Sequence, residues 1–300
     1  MEPIVYPIFE AKSCSWQYVV ACPNTKEAAI IDPVLNFEPS LFRITTESAD
    51  EIIDRIMKEG YTVKMILETH AHGDHLSAAY YIQQALWTRG QPHASICISE
   101  NILIVQSYFS HKYRIPKEEI ESAFNHLFQP DEIFHIGDIA CTALHLPGHT
   151  PDHGGYYMGS NIFTGDSMFN PDIGSGRCDF PGGDARQLYR SMKRLLSFPP
   201  ETKLYTGHDY PPCNESTARE PVPYVTVSEQ QDKNKHIKHD SSEEDFVQWR
   251  NDRDQVIPEP KIVHQAMQVN VRGGKMPTKT HDGKAYMLYL IEVPSVLLAG

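Results

Sequence analysis

The sequence has few cysteines, and their arrangement argues against a disulfide-stabilised scaffold. Six cysteines are scattered over 300 residues, with no CxxC pair and none of the close spacing of small secreted domains. This pattern is typical of reduced thiols in a reducing compartment, where a buried cysteine packs as a small apolar residue. We therefore expect no disulfide framework.

Basic charge and long apolar runs are also scarce. Lys and Arg number 27 against 39 Asp and Glu, which gives a net charge of −12. Phosphate backbones usually meet a basic surface, so nucleic acid is not expected as a partner. No apolar stretch approaches the roughly 18 residues that span a bilayer, and no membrane partner is expected. The first residues resemble neither a secretory signal nor an Arg-rich presequence. We expect a cytoplasmic protein, with a mitochondrial location as the alternative.

The remaining composition, 40% hydrophobic and 22% charged, is that of a globular protein. Strand-like and helix-like patterns alternate up to residue 212, which predicts an α/β (α+β) fold. The helices that bear on the later argument are predicted over residues 48–58, 76–87, 101–108 and 185–196, and a polar surface excursion over 110–129. We predict one domain over residues 1–275, with its core over about 5–212 and a helical, substrate-binding segment over 213–275. A strand-like extension over 276–300 would follow it.

The densest chemical signal is the heptapeptide Thr69-His70-Ala71-His72-Gly73-Asp74-His75, directly after a predicted strand. Imidazole nitrogen and carboxylate oxygen are ligands that zinc, iron and manganese accept. Side chains of an extended segment repeat every second residue, so His70 and His72 should point the same way. Asp74 and His75 should approach from another side. A solvated polar loop is the alternative, but an H-x-H-x-D-H cluster between a strand and a helix has few other uses.

Three later turns each present one further ligand-type residue at the end of a predicted strand. These are His149 in P-G-H-T, Asp166 in T-G-D and His208 in T-G-H-D-Y. Each turn alone is weak evidence, because glycine beside histidine or aspartate is also ordinary turn chemistry. Together, and after the cluster at 70–75, they predict a metal site where strands end, which is where α/β folds place their sites.

In this order the motifs resemble the metallo-β-lactamase superfamily, whose fold is a four-layer αββα sandwich with metals at one edge of two sheets. The resemblance is nearest to persulfide dioxygenases and glyoxalase II enzymes, including β-lactamase-like hydrolases. It implies that His70, His72 and His149 bind one metal, that Asp74, His75 and His208 bind a second, and that Asp166 bridges them.

The resemblance leaves two metal contents open. Two zinc ions about 3.5–4 Å apart would share a hydroxide and hydrolyse a thioester or related acyl bond. One Fe(2+) held by His70, His149 and Asp166 would instead form a two-histidine, one-carboxylate triad with positions open for dioxygen and substrate. Persulfide dioxygenases use the second arrangement although the other ligand residues persist in them.

Two stretches favour the dioxygenase. Gly176-Arg177-Cys178-Asp179-Phe180 resembles the G-R-x-D-F loop of persulfide dioxygenases, and His208-Asp209-Tyr210 also matches their pattern. We interpret Arg177 and Asp179 as an ion pair that fixes this loop near the metal, with an inconsequential surface pair as the alternative. Together with Asp74, Asp166 and Tyr210, they are the predicted catalytic residues. Cys178 is either a redox-sensitive thiol or, more simply, a buried one.

Basic and tyrosine side chains bind glutathione in both enzyme groups, which makes Arg177, Tyr210, Lys235, His236 and Arg272 the predicted substrate-binding residues. His236 stands where related chains have an arginine. The leading hypothesis is a one-iron dioxygenase that oxidises glutathione persulfide to sulfite with O2, its site kept dry by aromatic side chains. The alternatives are a glyoxalase II-like binuclear zinc hydrolase and a metal-binding protein without turnover. A homodimer is also possible.

Overall fold

Strands and helices contribute about equally to the fold of this protein, as given by a computed structural model that describes residues 1–212, 218–238 and 241–289. The strands are β1 (Ile4–Glu10), β2 (Ser15–Ala21), β3 (Glu27–Ile31), β4 (Val34–Glu38), β5 (Arg43–Thr45), β6 (Thr62–Leu67), β7 (Leu76–Ser77), β8 (Ser95–Ser99), β9 (His126–Phe128), β10 (Glu132–Ile136), β11 (Ile139–His145), β12 (Gly154–Met158), β13 (Asn161–Gly165), β14 (Lys203–Thr206) and β15 (Tyr224–Thr226). The helices are α1 (Glu47–Glu59), α2 (Ala79–Thr88), α3 (Ile102–Tyr113), α4 (Lys117–Glu121), α5 (Ala185–Leu196), α6 (Val227–Lys233), α7 (Glu243–Asp254) and α8 (Val263–Asn270).

Two six-stranded sheets form the centre of the molecule. The first has the order β1-β2-β3-β6-β8-β9 and the second the order β10-β11-β12-β13-β14-β15. Within them β3, β6, β8 and β9 run parallel, and so do β13 and β14. A small sheet, β5-β4-β7, lies beside them. Parallel neighbours end at the same edge of a sheet, so the loops that follow β6, β13 and β14 can meet there.

Hydrophobic side chains fill the three spaces between four layers. Tyr18, Leu67, Phe163 and Tyr205 pack between the sheets, where the rings of Tyr18 and Phe163 lie 5.0 Å apart. Helices α1 and α2 cover the outer face of the first sheet, and α5 and α7 cover the outer face of the second. This arrangement confirms the predicted αββα sandwich.

Helix α5 shows why local prediction succeeded where sequence periodicity was strong. Its bounds, Ala185–Leu196, are those predicted. The Asp184 carboxylate caps it by accepting a hydrogen bond from the Gln187 amide, and Lys193 and Arg194 lie in its last turn. The buried side chains repeat at helical spacing and include Leu188, Met192 and Leu195.

Two local predictions were wrong. The helix expected from Leu76 begins at Ala79, because Leu76 and Ser77 pair as β7 with Leu35 and Val34 of β4. The expected surface excursion over 110–129 contains the end of α3, then α4 and β9, and β9 is the edge strand of the first sheet. Tyr113 and Phe128 are both buried there, so tertiary packing overrode a polar local composition.

The C-terminal segment differs from expectation as well. Residues 276–289 form no strand, and residues 290–300 of the predicted extension lie outside the described part. The Leu288 amide donates to the Gln268 side chain, and the Gly283 amide closes a turn on Thr280, so these backbone groups are not available to a sheet. No helix within the described ranges has the length and hydrophobicity that crossing a bilayer requires. The predicted domain boundaries stay predictions.

Candidate metal centre

Four strand ends deliver the predicted metal ligands to one edge of the sandwich. Residues 69–75 follow β6, and the remaining three candidates follow β11, β13 and β14. The geometry brings all seven predicted ligands together in two groups. Within each group, one ligand atom per residue lies within 4.8 Å of those of the others. The first ligand group is His70, His149 and Asp166, and the second ligand group is His72, Asp74, His75 and His208.

Asp166 lies between the two groups. Its Oδ2 is 3.5 Å from His149 Nε2, and its Oδ1 is 3.6 Å from His208 Nε2. The carboxylate therefore faces a histidine of each group, which is the position that a bridging ligand needs. His72 was expected beside His70 and His149. Its ring does lie 4.0 Å from that of His70, but its ligand atom converges with the second group.

Buried polar atoms without partners test whether these residues fit a metal. Most buried polar atoms in proteins have a hydrogen-bond partner, so a cluster of exceptions requires an explanation. Among the described residues, the side-chain atoms that lack one include His70 Nε2, His72 Nδ1, His75 Nε2, His208 Nε2 and Asp166 Oδ1. Bound metal would satisfy these lone pairs, so the residues fit a metal ion.

Hydrogen bonds on the far side of each ring orient the first ligand group. The Thr69 hydroxyl donates to Asp32 at 2.9 Å, so it is available to accept from His70 Nδ1 at 3.0 Å. His149 Nδ1 lies 2.6 Å from the Arg177 carbonyl oxygen, which can only accept. Both rings should therefore carry their proton on Nδ1 and leave Nε2 for a metal. Burial lowers the pKa of His70 well below its ordinary value, which keeps the ring neutral.

His153 supports the first ligand group from behind, and sequence reasoning missed it. Its Nε2 accepts a hydrogen bond from the Asp166 amide at 2.9 Å, and its Nδ1 lies 3.1 Å from the Ser167 hydroxyl. The His153 ring stacks on that of His70 at 4.9 Å. Gly165 is required here, because a Cβ at this residue (φ +49°) would lie 2.8 Å from His153 Nε2. A second histidine four residues after His149 was the available signal.

Ser15 orients two rings of the second ligand group. Its hydroxyl donates to Ser13 at 2.8 Å and lies 3.4 Å from His75 Nδ1 and 3.3 Å from His208 Nδ1. Their Nε2 atoms are thereby left for a metal. Burial alone would raise the pKa of Asp74, but His208 and His75 outweigh it and lower that pKa below its ordinary value. Asp74 thus stays ionised beside these rings.

Two buried carboxylates face His72. Its Nε2 lies 3.1 Å from Asp32 and 3.5 Å from Glu68. Burial alone would lower the pKa of His72, but Asp32 and Glu68 raise it well above its ordinary value. Metal at its Nδ1 would have to compete with that proton, and binding would release it. Asp32, which directly follows β3, is thus a buried carboxylate beside a candidate metal ligand.

A cavity of about 490 Å³ opens over His149, Asp166 and Asp74. This volume falls within the range of ligand pockets in proteins. Its lining includes His149 and Asp166, the three aromatic residues expected to keep the site dry and four of the five predicted substrate-binding residues. The aromatic residues are Phe169, Phe180 and Tyr210. The substrate-binding candidates are Arg177, Tyr210, Lys235 and His236.

Arg177 and Asp179 form the predicted ion pair at the cavity wall. Arg177 Nε donates to Asp179 at 2.5 Å, and Nη1 donates to the Pro258 carbonyl at 2.9 Å. Because the Arg177 carbonyl also accepts from His149, this residue joins the loop, the C-terminal segment and a ligand histidine. Cys178 between them is buried, and burial raises the pKa of its thiol, so it resembles an inert packed thiol and not a redox-active one.

Arg272 does not lie with the other predicted substrate-binding residues. It is buried, its guanidinium pairs with Glu119, and it is not among the residues that line the cavity. The expectation for Arg272 is corrected on this geometry, since its charge is consumed by an internal pair. His236 does reach the cavity, where its ring stacks on Trp249 at 3.5 Å.

Helix α7 supplies cavity residues that the sequence did not predict. Trp249, Arg250 and Arg253 all line the far wall. Arg250 is buried, pairs with Asp254 and lies over the Trp249 ring at 4.7 Å. The signal available in the sequence was Ser242 before a run of acidic residues, and Ser242 caps α7 by accepting a hydrogen bond from the Asp245 amide. Without the tertiary fold, nothing indicated that its arginines face the metal centre.

Comparisons with known proteins agree with this site. The sequence profile described as Metallo-beta-lactamase superfamily matches residues 15–208. The chain is 38% identical over 292 residues to the "Beta-lactamase hydrolase-like protein" of Agrobacterium fabrum, covering 97% of this chain but only 65% of that longer protein. It is also 38% identical to the Dictyostelium discoideum protein named "Glyoxylase B2", over 94% of each chain.

Among solved structures, ETHE1 from Myxococcus xanthus matches with a TM-score of 0.71 at 26% identity, covering 91% of this chain and 100% of that one. The matched profile spans every predicted metal ligand, from His70 to His208, and both full-length similarities extend beyond it. The chain belongs to the metallo-β-lactamase superfamily.

Proposed function

We propose that this protein is a persulfide dioxygenase that oxidises glutathione persulfide to sulfite with O2 at a single Fe(2+). The observation that carries the proposal is the convergence of His70, His149 and Asp166 beside a partly aromatic, partly cationic cavity. Iron bound there would have two histidine ligands and one carboxylate, a set that leaves positions open for dioxygen and a sulfur ligand. The loop Gly176-Arg177-Cys178-Asp179-Phe180, which resembles the G-R-x-D-F loop of persulfide dioxygenases, supports this choice.

The chain's own residues would divide the remaining work. Thr69 and the Arg177 carbonyl fix the tautomers of His70 and His149. Phe169 and Phe180 would exclude water from the reacting sulfur. Overall, persulfide, O2 and water would give thiol, sulfite and two protons, so the terminal sulfur is oxidised and O2 is reduced.

The far wall suits an anionic peptide thiol. Lys235 and Arg253 line it and have no ion-pair partner within the described ranges. Trp249 and His236 add a stacked aromatic surface, and Tyr210 lies at the mouth with 43% of its surface exposed. Two carboxylates of glutathione would meet these cations, although the whole chain carries a net charge of −12.

The second ligand group favours one other function, a binuclear zinc hydrolase of thioesters such as hydroxyacylglutathione. His72, Asp74, His75 and His208 are enough to hold a second ion, and Asp166 faces both groups. Two ions would share a hydroxide as the nucleophile. The name of the Dictyostelium relative supports this candidate.

Metal analysis combined with oxygen uptake separates the two. Protein purified from iron-supplemented cells should contain about one iron per chain, and should consume O2 when given glutathione persulfide. Two zinc ions per chain, no oxygen uptake and cleavage of a glutathione thioester would instead establish the hydrolase. A metal-binding protein without turnover would do neither.

A further inference from the structure

Helix α8, in the C-terminal segment, contacts the metal centre through one buried side chain, that of Asn270, which lies 62 positions after His208. Asn270 is 4% exposed and ends this helix. Its amide nitrogen donates to the backbone carbonyl of His72 at 2.7 Å and to that of His75 at 2.8 Å. Its amide oxygen accepts from the Ser77 amide at 2.8 Å.

These three bonds span the loop that carries the second ligand group. The two carbonyls belong to His72 and His75, two of the four residues of the second ligand group. The third partner, the Ser77 amide, lies in β7, the first strand after the loop. An amide offers two donors and one acceptor group, so both ends of the Asn270 side chain are engaged by one loop. A buried amide in this position fixes where the loop backbone lies.

We propose that Asn270 is a positioning residue for the metal centre, which sets metal affinity by holding the backbone of His72 and His75. Residues around metal ligands orient them, and their loss typically weakens metal binding about 10–100-fold. The role does not require the dioxygenase reaction, so it stands or fails separately from the proposed function. It makes α8 part of the metal-binding scaffold, beyond the 15–208 range of the family profile.

Gln268 provides a matched control on the same helix. Its side chain is also a buried amide that makes three hydrogen bonds, but its partners are the His264 carbonyl and the backbone of Leu288. Replacing either amide by leucine removes three bonds and leaves buried polar groups unpaired, so both variants should lose stability. Only one of them touches the ligand loop.

The test is Co2+ binding to the metal-depleted full chain, followed by equilibrium dialysis and visible absorption. Asn270→Leu should bind Co2+ about 10–100-fold more weakly and change its absorption bands, while Gln268→Leu stays within about twofold of wild type. Asn270→Asp keeps the acceptor for Ser77 and loses both donors, so it should also weaken binding.

Each contrary outcome overturns the proposal. Wild-type Co2+ affinity and spectrum in Asn270→Leu would show that the loop holds its position without this residue. An equal loss in Gln268→Leu would assign the effect to general destabilisation. Circular dichroism at the dialysis temperature identifies the folded variants. If Asn270→Leu does not fold, the same comparison is made with Asn270→Asp and Asn270→Ser, and unchanged Co2+ binding in both would overturn it.

Discussion

The two ligand groups share one carboxylate but differ in what surrounds them. The first contains His149 and Asp166, which line the cavity, and its rings are oriented by neutral hydroxyl and carbonyl oxygens. The second is contacted by the N-terminal strands through Ser15 and by α8 through Asn270. Carboxylates also face it from behind at His72. The first group, which presents two ligands to the cavity, is therefore suited to bind substrate beside its metal. The second group reaches the cavity through Asp74 and is suited to shape or charge the centre.

Asp166 belongs to both sides of this comparison, so its loss should have the largest effect. Asp166→Asn removes the charge that faces His149 and His208, and we expect oxygen uptake and thioester cleavage alike to fall to background. Metal content by elemental analysis and activity with both substrates measure this. Asp54→Asn makes the same charge change on an exposed face of α1, and this control should retain wild-type metal content and activity. Activity that persists in Asp166→Asn would show that neither mechanism requires the Asp166 carboxylate.

Asp74 separates the groups, because it belongs to the second alone. In a one-iron enzyme, Asp74→Ala should keep about one iron per chain and lose activity by about 10–100-fold, as for a residue that acts around the metal. In a two-metal enzyme, it should lose an ion and nearly all turnover. Iron and zinc content per chain, measured beside kcat, decides between them. Near-complete metal loss in this variant would count against the dioxygenase.

The sequence predicted the ligands better than their surroundings, for a physical reason. Ligand residues stand at strand ends and within a dense local motif, so order along the chain is enough to identify them. The supports are distant in sequence: Ser15 meets His208, and Asn270 meets His72, only because the sheets and α8 bring them together. The helix start predicted at Leu76 was wrong for the same reason, because the pairing of Leu76 with β4 overrode a helical sequence pattern.

Charged residues show the same limit. Arg272 looked free to bind substrate because its partner, Glu119, lies 153 positions earlier. The sequence did not single out Arg250 or Arg253, yet α7 places both at the cavity. Burial and ion pairing decide which cations are available to a ligand, and both are properties of the tertiary fold. The alternation of strand and helix patterns predicted an α/β fold, and the αββα architecture followed from the family resemblance that the ligand motifs carry.

Arg177 tests the support behind the first ligand group without removing a ligand. Arg177→Met keeps the backbone carbonyl that holds His149 but breaks the pair with Asp179 and the bond to Pro258. We expect metal content to remain and kcat/KM for the persulfide to fall by about 10–100-fold. Arg186→Met is the matched control, since Arg186 makes an exposed pair with Glu243, and such pairs contribute little. Equal effects of the two substitutions would show that the Arg177–Asp179 ion pair contributes no more to activity than an exposed surface pair.

The smallest expected effect is the change that His236 makes in the pH dependence of folding stability. Measuring it helps to decide whether metal loss or activity loss at acidic pH comes from the two ligand groups. Burial and the neighbouring charges of Lys235 and Arg250 lower the pKa of His236 to about 4. A histidine whose folded-state pKa is lowered takes up its proton first in the unfolded chain. Its contribution to stability is therefore unaffected above about pH 7 and becomes unfavourable as pH falls from about 6.5 towards 4.

Urea unfolding of wild type and His236→Phe at pH 7.5 and pH 5 measures this contribution. Phenylalanine can keep the stack on Trp249 but cannot titrate, so the variant should gain stability relative to wild type on acidification. His236 itself should stay neutral in the folded protein between about pH 5 and 8. Metal loss or activity loss within that range would then report the ligand groups. The contrary result is a difference in unfolding free energy between wild type and His236→Phe that is the same at both pH values. The pKa of His236 would then not be lowered by folding, and at pH 5 a protonated His236 would lie at the cavity wall, beside the substrate.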